Sequence, residues 1–231
     1  MKKNNKLIII PAYNESESIK TVIEDVSRFA SEFDFVVIND CSTDNTSQIA
    51  RSLNAQVIDL PVNLGIGGCV QTGYRYALKN GYDYAVQFDG DGQHDASYLC
   101  AMYEFMQNTG SDMVIGSRFI EKTGFQSSSL RRIGIKIITL AIKITTGKTI
   151  TDATSGLRMV NKKIIKLFAE DYPVDYPESE TNAIVLRKGF KVEEMPVEMK
   201  ERIGGVSSIT LKKACYFMPK VVLAILINRF R

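Results

Sequence analysis

A chain of 231 residues, 45% hydrophobic and 24% charged, can bury a substantial core and has the make-up of one globular α/β domain. Its four cysteines, Cys41, Cys69, Cys100 and Cys215, lack the close pairing of a zinc site or a small disulfide scaffold, so they read as free thiols. The formal net charge is only +3, but residues 113–148 and 199–231 each hold seven Lys or Arg against a single Glu; an acidic first half followed by two basic segments suits an anionic partner such as phosphate groups, acidic lipid or nucleic acid.

The first pattern in the chain is the apolar run Leu7–Ile10. It is too short for the apolar region of a secretory signal and follows the polar Met1–Lys6, so the chain is expected to be cytoplasmic. Similar short runs recur at Phe35–Ile38, Ala85–Phe88 and Met113–Ile115, and predict strands buried on both faces of a parallel sheet. The stretches between them, Glu17–Ser31, Thr46–Leu53, Val70–Asn80 and Tyr98–Gln107, predict helices, so the first part is a series of βαβ units. Ligands of such open sheets collect at the carboxyl ends of the strands.

Pro11-Ala12-Tyr13-Asn14-Glu15 follows the first strand, and Asn39-Asp40-Cys41-Ser42-Thr43-Asp44 the second. Asn14, Ser16, Ser42 and Thr43 are all good helix N-caps, which makes strand-to-helix turns one reading. The other is a nucleobase site, with Tyr13 stacking and Asp40 accepting an N–H. Next, the glycines of Asn63-Leu64-Gly65-Ile66-Gly67-Gly68, Gly67 among them, allow close approach of an anion to a helix start, or form an ordinary loop.

The strand Ala85–Phe88 ends in Asp89-Gly90-Asp91-Gly92-Gln93-His94-Asp95. Two carboxylates two residues apart, with glycines relieving the steric limits, can face one ion just past a core strand. Hard divalent cations such as Mg2+ or Mn2+ take such oxygen ligands and complete their shell with water and substrate phosphate. An Asp/Gly-rich surface turn is the plain alternative. His94 is the single histidine, which excludes a His-rich zinc site and places this ring near the metal or at the next helix cap.

The ordered blocks PAYNES, VVINDCSTDNT, NLGIGG, FDGDGQHD, GSRF, SGLR and RIGGVSS, from about Lys6 to Ile209, resemble the family 2 glycosyltransferases. Within that family the resemblance is to the branch of dolichyl-phosphate mannose synthase and bacterial polyprenyl-phosphate sugar synthases. It implies a GT-A fold, a Rossmann-like and mostly parallel central sheet flanked by helices, and an inverting, metal-dependent transfer from a UDP- or GDP-sugar. By position it makes Pro11, Tyr13, Glu15 and Asp40 nucleobase and ribose contacts, and Asp89, Gly90, Asp91 and Gln93 the metal and diphosphate site. Arg202 and Ser207 become the loop that closes on the diphosphate. The chain departs from the family in having Asn39 where many relatives have a second Asp, and Ile66 where many have a Lys.

A sugar-hydroxyl acceptor needs a base, for which Asp152, Asp175, Glu178 and Glu180 are the available carboxylates, whereas a phosphate acceptor is already ionised and needs cations. Arg118, Arg131 and Arg132 supply cations, and Arg118 directly follows a buried strand in Gly116-Ser117-Arg118-Phe119. A polyprenyl phosphate is therefore the expected acceptor, with no nucleic acid among the partners, and polysaccharide biosynthesis the expected setting. In Ile133–Thr146 the residues Ile133, Ile137, Leu140, Ala141 and Ile144 follow helical spacing, with Arg132, Lys136 and Lys143 on another stripe. Val221–Ile227 is apolar between basic residues and too short to span a bilayer, which needs about 20 residues. Residues 1–210 are thus expected to form the catalytic domain and 211–231 a basic, apolar segment, its helix starting at Pro219, lying on an anionic membrane surface. The expected location is peripheral, on the cytoplasmic side of the cell membrane, where a small membrane-protein partner or a second copy of the chain would replace the transmembrane helices of many relatives.

Overall fold

The structure, a computed structural model, describes residues 4–121, 129–175, 177–201 and 211–227, with no side-chain detail for 129–131 and 211–218. Its elements run β1 (Lys6–Ala12), α1 (Ile19–Phe29), β2 (Asp34–Asn39), α2 (Thr46–Ser52), β3 (Gln56–Asp59), α3 (Gly65–Lys79), β4 (Tyr84–Gln87), α4 (Tyr98–Thr109) and β5 (Met113–Ser117). They continue with α5 (Ser129–Thr146), β6 (Arg158–Asn161), α6 (Lys162–Glu170), α7 (Pro177–Arg187), β7 (Val192–Pro196) and α8 (Leu211–Ile227).

Among the described residues seven strands form one sheet in the order β3-β2-β1-β4-β6-β5-β7, parallel except that β6 runs against both β4 and β5. Alternate residues of β1 enter separate cores. Leu7 and Ile9 join the layer shared by α3, α5, α6, α7 and α8, whereas Ile8 and Ile10 join the layer under α1, α2 and α4. Burial on both faces is why this strand reads as an unbroken apolar run. Helix α1 buries Ile19, Val22, Ile23 and Val26 at helical spacing, and α4 stops at Gly110, whose φ of 63° suits a residue without Cβ.

Strand order reverses between β1 and β4, because the chain builds β2 and β3 on one side of β1 before crossing to the other. The loops after β1 and β4 flank the crevice where ligands of such sheets bind.

Three expectations about helix ends need correction. Helix α3 starts at Gly65 rather than Val70, because Asp40 Oδ1 accepts from Leu64 N at 2.7 Å and Asn63 Oδ1 from Gly65 N at 3.1 Å, capping a start of poor intrinsic propensity. Asn14, Ser16, Ser42 and Thr43 do not cap the helices that follow them. They bind the two loops together: Asn14 N donates to Ser42 Oγ at 3.0 Å, Thr43 N to Asn14 Oδ1 at 2.8 Å, and Ser16 N to Asp44 Oδ2 at 3.1 Å. Pro219 lies inside α8 rather than at its start. It costs a backbone hydrogen bond there, which the packing of Val221 and Ile225 into the core beside α5 and α7 offsets.

Helix α5 is apolar on two faces. Ile135, Ile138, Ala141 and Ile142 are buried, so Ala141 belongs to the inner face, while Ile133, Ile137, Leu140 and Ile144 are exposed. The neighbouring α8 exposes Leu223, Leu226 and Ile227. Among the described residues no helix is long and apolar enough to cross a membrane.

Candidate active site

The crevice is built from backbone outward. Gly90 ties the loop after β4 to the end of β1: its N–H donates to Pro11 O at 3.1 Å, and its carbonyl accepts from Ser18 Oγ at 2.7 Å. A Cβ on Gly90 would lie 3.0 Å from Pro11 O, so this approach favours glycine. Gly92 turns the chain with φ 77°, a conformation side chains disfavour, and Asp91 Oδ1 accepts from Gln93 N at 3.0 Å to close the turn. The loop is also joined to the segment after β7, since Lys200 N donates to Gln93 O at 2.8 Å.

Asp89 is held on several sides. Its Oδ1 accepts from Gln87 Nε2 at 3.1 Å, its backbone N–H donates to His94 Nδ1 at 3.1 Å, and a Cβ on Gly156 would come within 2.5 Å of its Oδ2. A further buried polar group opens β6, the strand beside β4, where Arg158 pairs with Gln87. Arg158 is fully buried and donates to Ser155 O at 2.6 Å, Thr181 Oγ1 at 2.6 Å and Glu178 O at 3.2 Å. Burial raises the Glu178 carboxyl above the usual carboxylate range, while the Arg158 charge opposes that rise. Two sequence signals bear on Arg158: it closes the block SGLR, and it is a cation heading an otherwise apolar stretch.

Asp40 is buried, and burial raises its carboxyl pKa against the hydrogen bonds from the start of α3. Its Oδ1 is therefore already engaged at the helix. Tyr13, 47% exposed, presents its ring at the end of β1, and Glu15 anchors α1 through its carbonyl, which accepts from Ile19 N at 2.8 Å. Gly67 has a cause other than an approaching anion: a Cβ there would sit 2.2 Å from the carbonyl oxygens of Pro173 and Val174.

Arg118 and Asp152, expected in competing roles, are partners. Arg118 Nε donates to Asp152 Oδ2 at 2.6 Å and Nη2 to Oδ1 at 2.7 Å, in a bidentate pair that is buried at both ends. Asp152 is fully buried with both oxygens engaged, so it is not placed to act as a base. Arg132 is exposed at the start of α5. The side chain of Arg131, and Arg202 and Ser207 entirely, lie outside the described residues.

Among the described residues no three His, Cys, Asp or Glu side chains converge as a metal cage. The donors present are the carboxylates of Asp89 and Asp91 and the amide of Gln93. This oxygen set fits a hard divalent cation whose remaining ligands are water and substrate phosphate.

The family model "Glycosyl transferase family 2" matches residues 7–168. A UDP-N-acetylglucosamine–dolichyl-phosphate N-acetylglucosaminyltransferase of Methanococcus voltae is 29% identical over 214 residues, spanning 83% of this chain and 84% of the relative. A polyprenol monophosphomannose synthase of Mycolicibacterium smegmatis is 27% identical over 214 residues, 88% of this chain and 80% of its own. Among solved structures, glucosyl-3-phosphoglycerate synthase from Mycobacterium tuberculosis, in complex with Mn2+, UDP and phosphoglyceric acid, superposes with a TM-score of 0.73 at 18% identity, over 98% of this chain and 78% of that one. At that identity the likeness concerns the fold, which is GT-A. With the family model covering the sheet from β1 to α6, the chain is a glycosyltransferase and belongs to family 2.

Proposed function

We propose that this enzyme transfers one sugar, with inversion, from a nucleotide-diphosphate sugar to a polyprenyl phosphate at the cytoplasmic face of the membrane. The observation that carries the donor half is the Asp89-Gly90-Asp91 turn, fixed to the end of β1 at the point where strand order reverses. Tyr13 offers its ring to the base, and Asp40, with Oδ1 held by the start of α3, turns its carboxylate to a base N–H. Asp89, Asp91 and Gln93 would hold a Mg2+ or Mn2+ ion, which would supply positive charge to a departing diphosphate. The family resemblance assigns Arg202 and Ser207, which lie outside the described residues, to that diphosphate. The acceptor half rests on the names of the relatives and on cations. A phosphate oxygen, already ionised, attacks the anomeric carbon in line without a base, positioned by Arg131 and Arg132. Arg118 is held in a buried bidentate pair by Asp152, which neutralises its charge.

A second reading has one observation in its favour: the desolvated Glu178 carboxyl near Asp89 could serve as base toward a saccharide hydroxyl. Incubation with labelled UDP- and GDP-sugars, Mn2+ and polyprenyl phosphate separates the two. We expect lipid-dependent label in the organic phase; label confined to water-soluble saccharide would sink the lipid acceptor.

Membrane contact belongs to the two-faced helices. The exposed Ile133, Ile137, Leu140 and Ile144 of α5 lie among Arg132, Lys136 and Lys143, a combination that suits an anionic interface. Each cation near the surface contributes about 1 kcal/mol of attraction. Removing residues 219–231 would also take Val221 and Ile225 from the core, so surface substitutions are the cleaner probe. The protein is expected to float with anionic vesicles at low salt, and the double variant Ile137→Glu, Leu140→Glu to stay behind while melting normally. Equal flotation of the two proteins would remove α5 from the interface.

A further inference from the structure

His94 is the single histidine of the chain, it is 3% exposed, and its ring stands edge-on to Phe88 with centroids 5.4 Å apart. The backbone N–H of Asp89 donates to its Nδ1 at 3.1 Å. A nitrogen that accepts carries a lone pair and no proton, which puts the N–H of the ring on Nε2. That Nε2 lies 3.7 Å from Asp89 Oδ2, too long for a direct hydrogen bond but with the N–H dipole beside the carboxylate. Neither ring nitrogen has a lone pair left for a metal, so His94 is not a ligand.

We propose that His94 is the positioning residue of Asp89, a role that rests on the metal assignment above. The imidazole is locked by the backbone of the residue it serves and steadies one carboxylate oxygen, while Gln87 Nε2 holds the other at 3.1 Å and Gly156 leaves room for both. A carboxylate bonded by Gln87 on one oxygen and faced by the His94 N–H dipole on the other keeps its rotamer when the cation and diphosphate arrive, and such outer-shell partners typically change metal affinity or activity by roughly 10–100-fold when lost.

The two amide replacements divide the ring's functions. His94→Asn keeps an acceptor near the Nδ1 position, and His94→Gln keeps an N–H near the Nε2 position. Titration of Mn2+ into the full chain with UDP present, followed by electron paramagnetic resonance, is expected to show affinity lowered roughly 10–100-fold for His94→Asn and largely retained for His94→Gln, with both variants folded by circular dichroism. Independently of any variant, the nitrogen spectrum of the single imidazole in the wild-type protein is expected to show the Nε2-protonated neutral form, with its N–H resonance moving on addition of Mg2+ and UDP. Wild-type-like Mn2+ affinity in His94→Asn, an equal loss in both variants, or a proton on Nδ1 would each overturn the proposal alone. Absence of Mn2+ binding by the wild-type protein with UDP would overturn the metal assignment and this proposal with it.

Discussion

Asp91→Ala is expected to reduce turnover by about a thousandfold or more while leaving the fold intact. Leaving-group stabilisation by a bound divalent ion amounts to several kcal/mol, and about 4 kcal/mol of barrier corresponds to a factor of roughly a thousand. The side chain stands half-buried on a turn, where Oδ1 accepts from Gln93 N, and it belongs to neither hydrophobic core. Asp91→Asn keeps that acceptor and discards the charge, and should be nearly as inactive as the alanine variant. Steady-state rates over a Mn2+ titration, with thermal melts of both variants, test this. Normal turnover by either variant at low metal would remove Asp91 from the site.

Arg158→Met is expected to cost about 3–5 kcal/mol of stability, the usual result of taking one partner from a buried ionic group. Methionine fills much of the space but leaves Ser155 O, Glu178 O and Thr181 Oγ1 without their donor and Glu178 without its opposing charge. The effect should depend on pH. Burial already raises the Glu178 pKa in the folded state, and losing Arg158 raises it further. A carboxyl with a raised folded pKa binds its proton more tightly when folded, so its contribution to stability is present below the ordinary glutamate range and lost as pH rises through the folded value. The penalty of Arg158→Met should therefore be larger at pH 7.5 than at pH 5.5 in paired urea melts. An equal penalty at both pH values would detach Arg158 from Glu178, and no penalty would mean that the buried cation is dispensable.

The strands the sequence made legible were those buried on both faces. β1, β2, β4 and β5 are central or near-central and carry runs such as Leu-Ile-Ile-Ile and Phe-Val-Val-Ile. β3 and β7 went unread because they are the sheet's edges, and half-exposed strands such as Val-Glu-Glu-Met-Pro have no sustained apolar pattern. β6 was hidden for another reason: it opens on Arg158, a charge that is tolerated inside the sheet only because α7 and the turn before β6 supply acceptors.

The βαβ order, the placing of Tyr13, Asp40 and the Asp89/Asp91 pair at the carboxyl ends of strands, and the apolar stripe of α5 were legible in the chain because each is written in short-range spacing, and the family was legible in the resemblance of its ordered blocks. Tertiary structure decided whom those residues meet. Arg118 and Asp152, 34 residues apart in sequence, meet as a buried bidentate pair. Gly67 proved to make room for the carbonyls of Pro173 and Val174, and Asp40 to cap α3. Pro219 was absorbed inside α8, and α5 buried a second apolar face while leaving its first exposed. Periodicity reports which way a side chain points from its own element; its partners depend on the path of the whole chain, and no local spacing encodes that path.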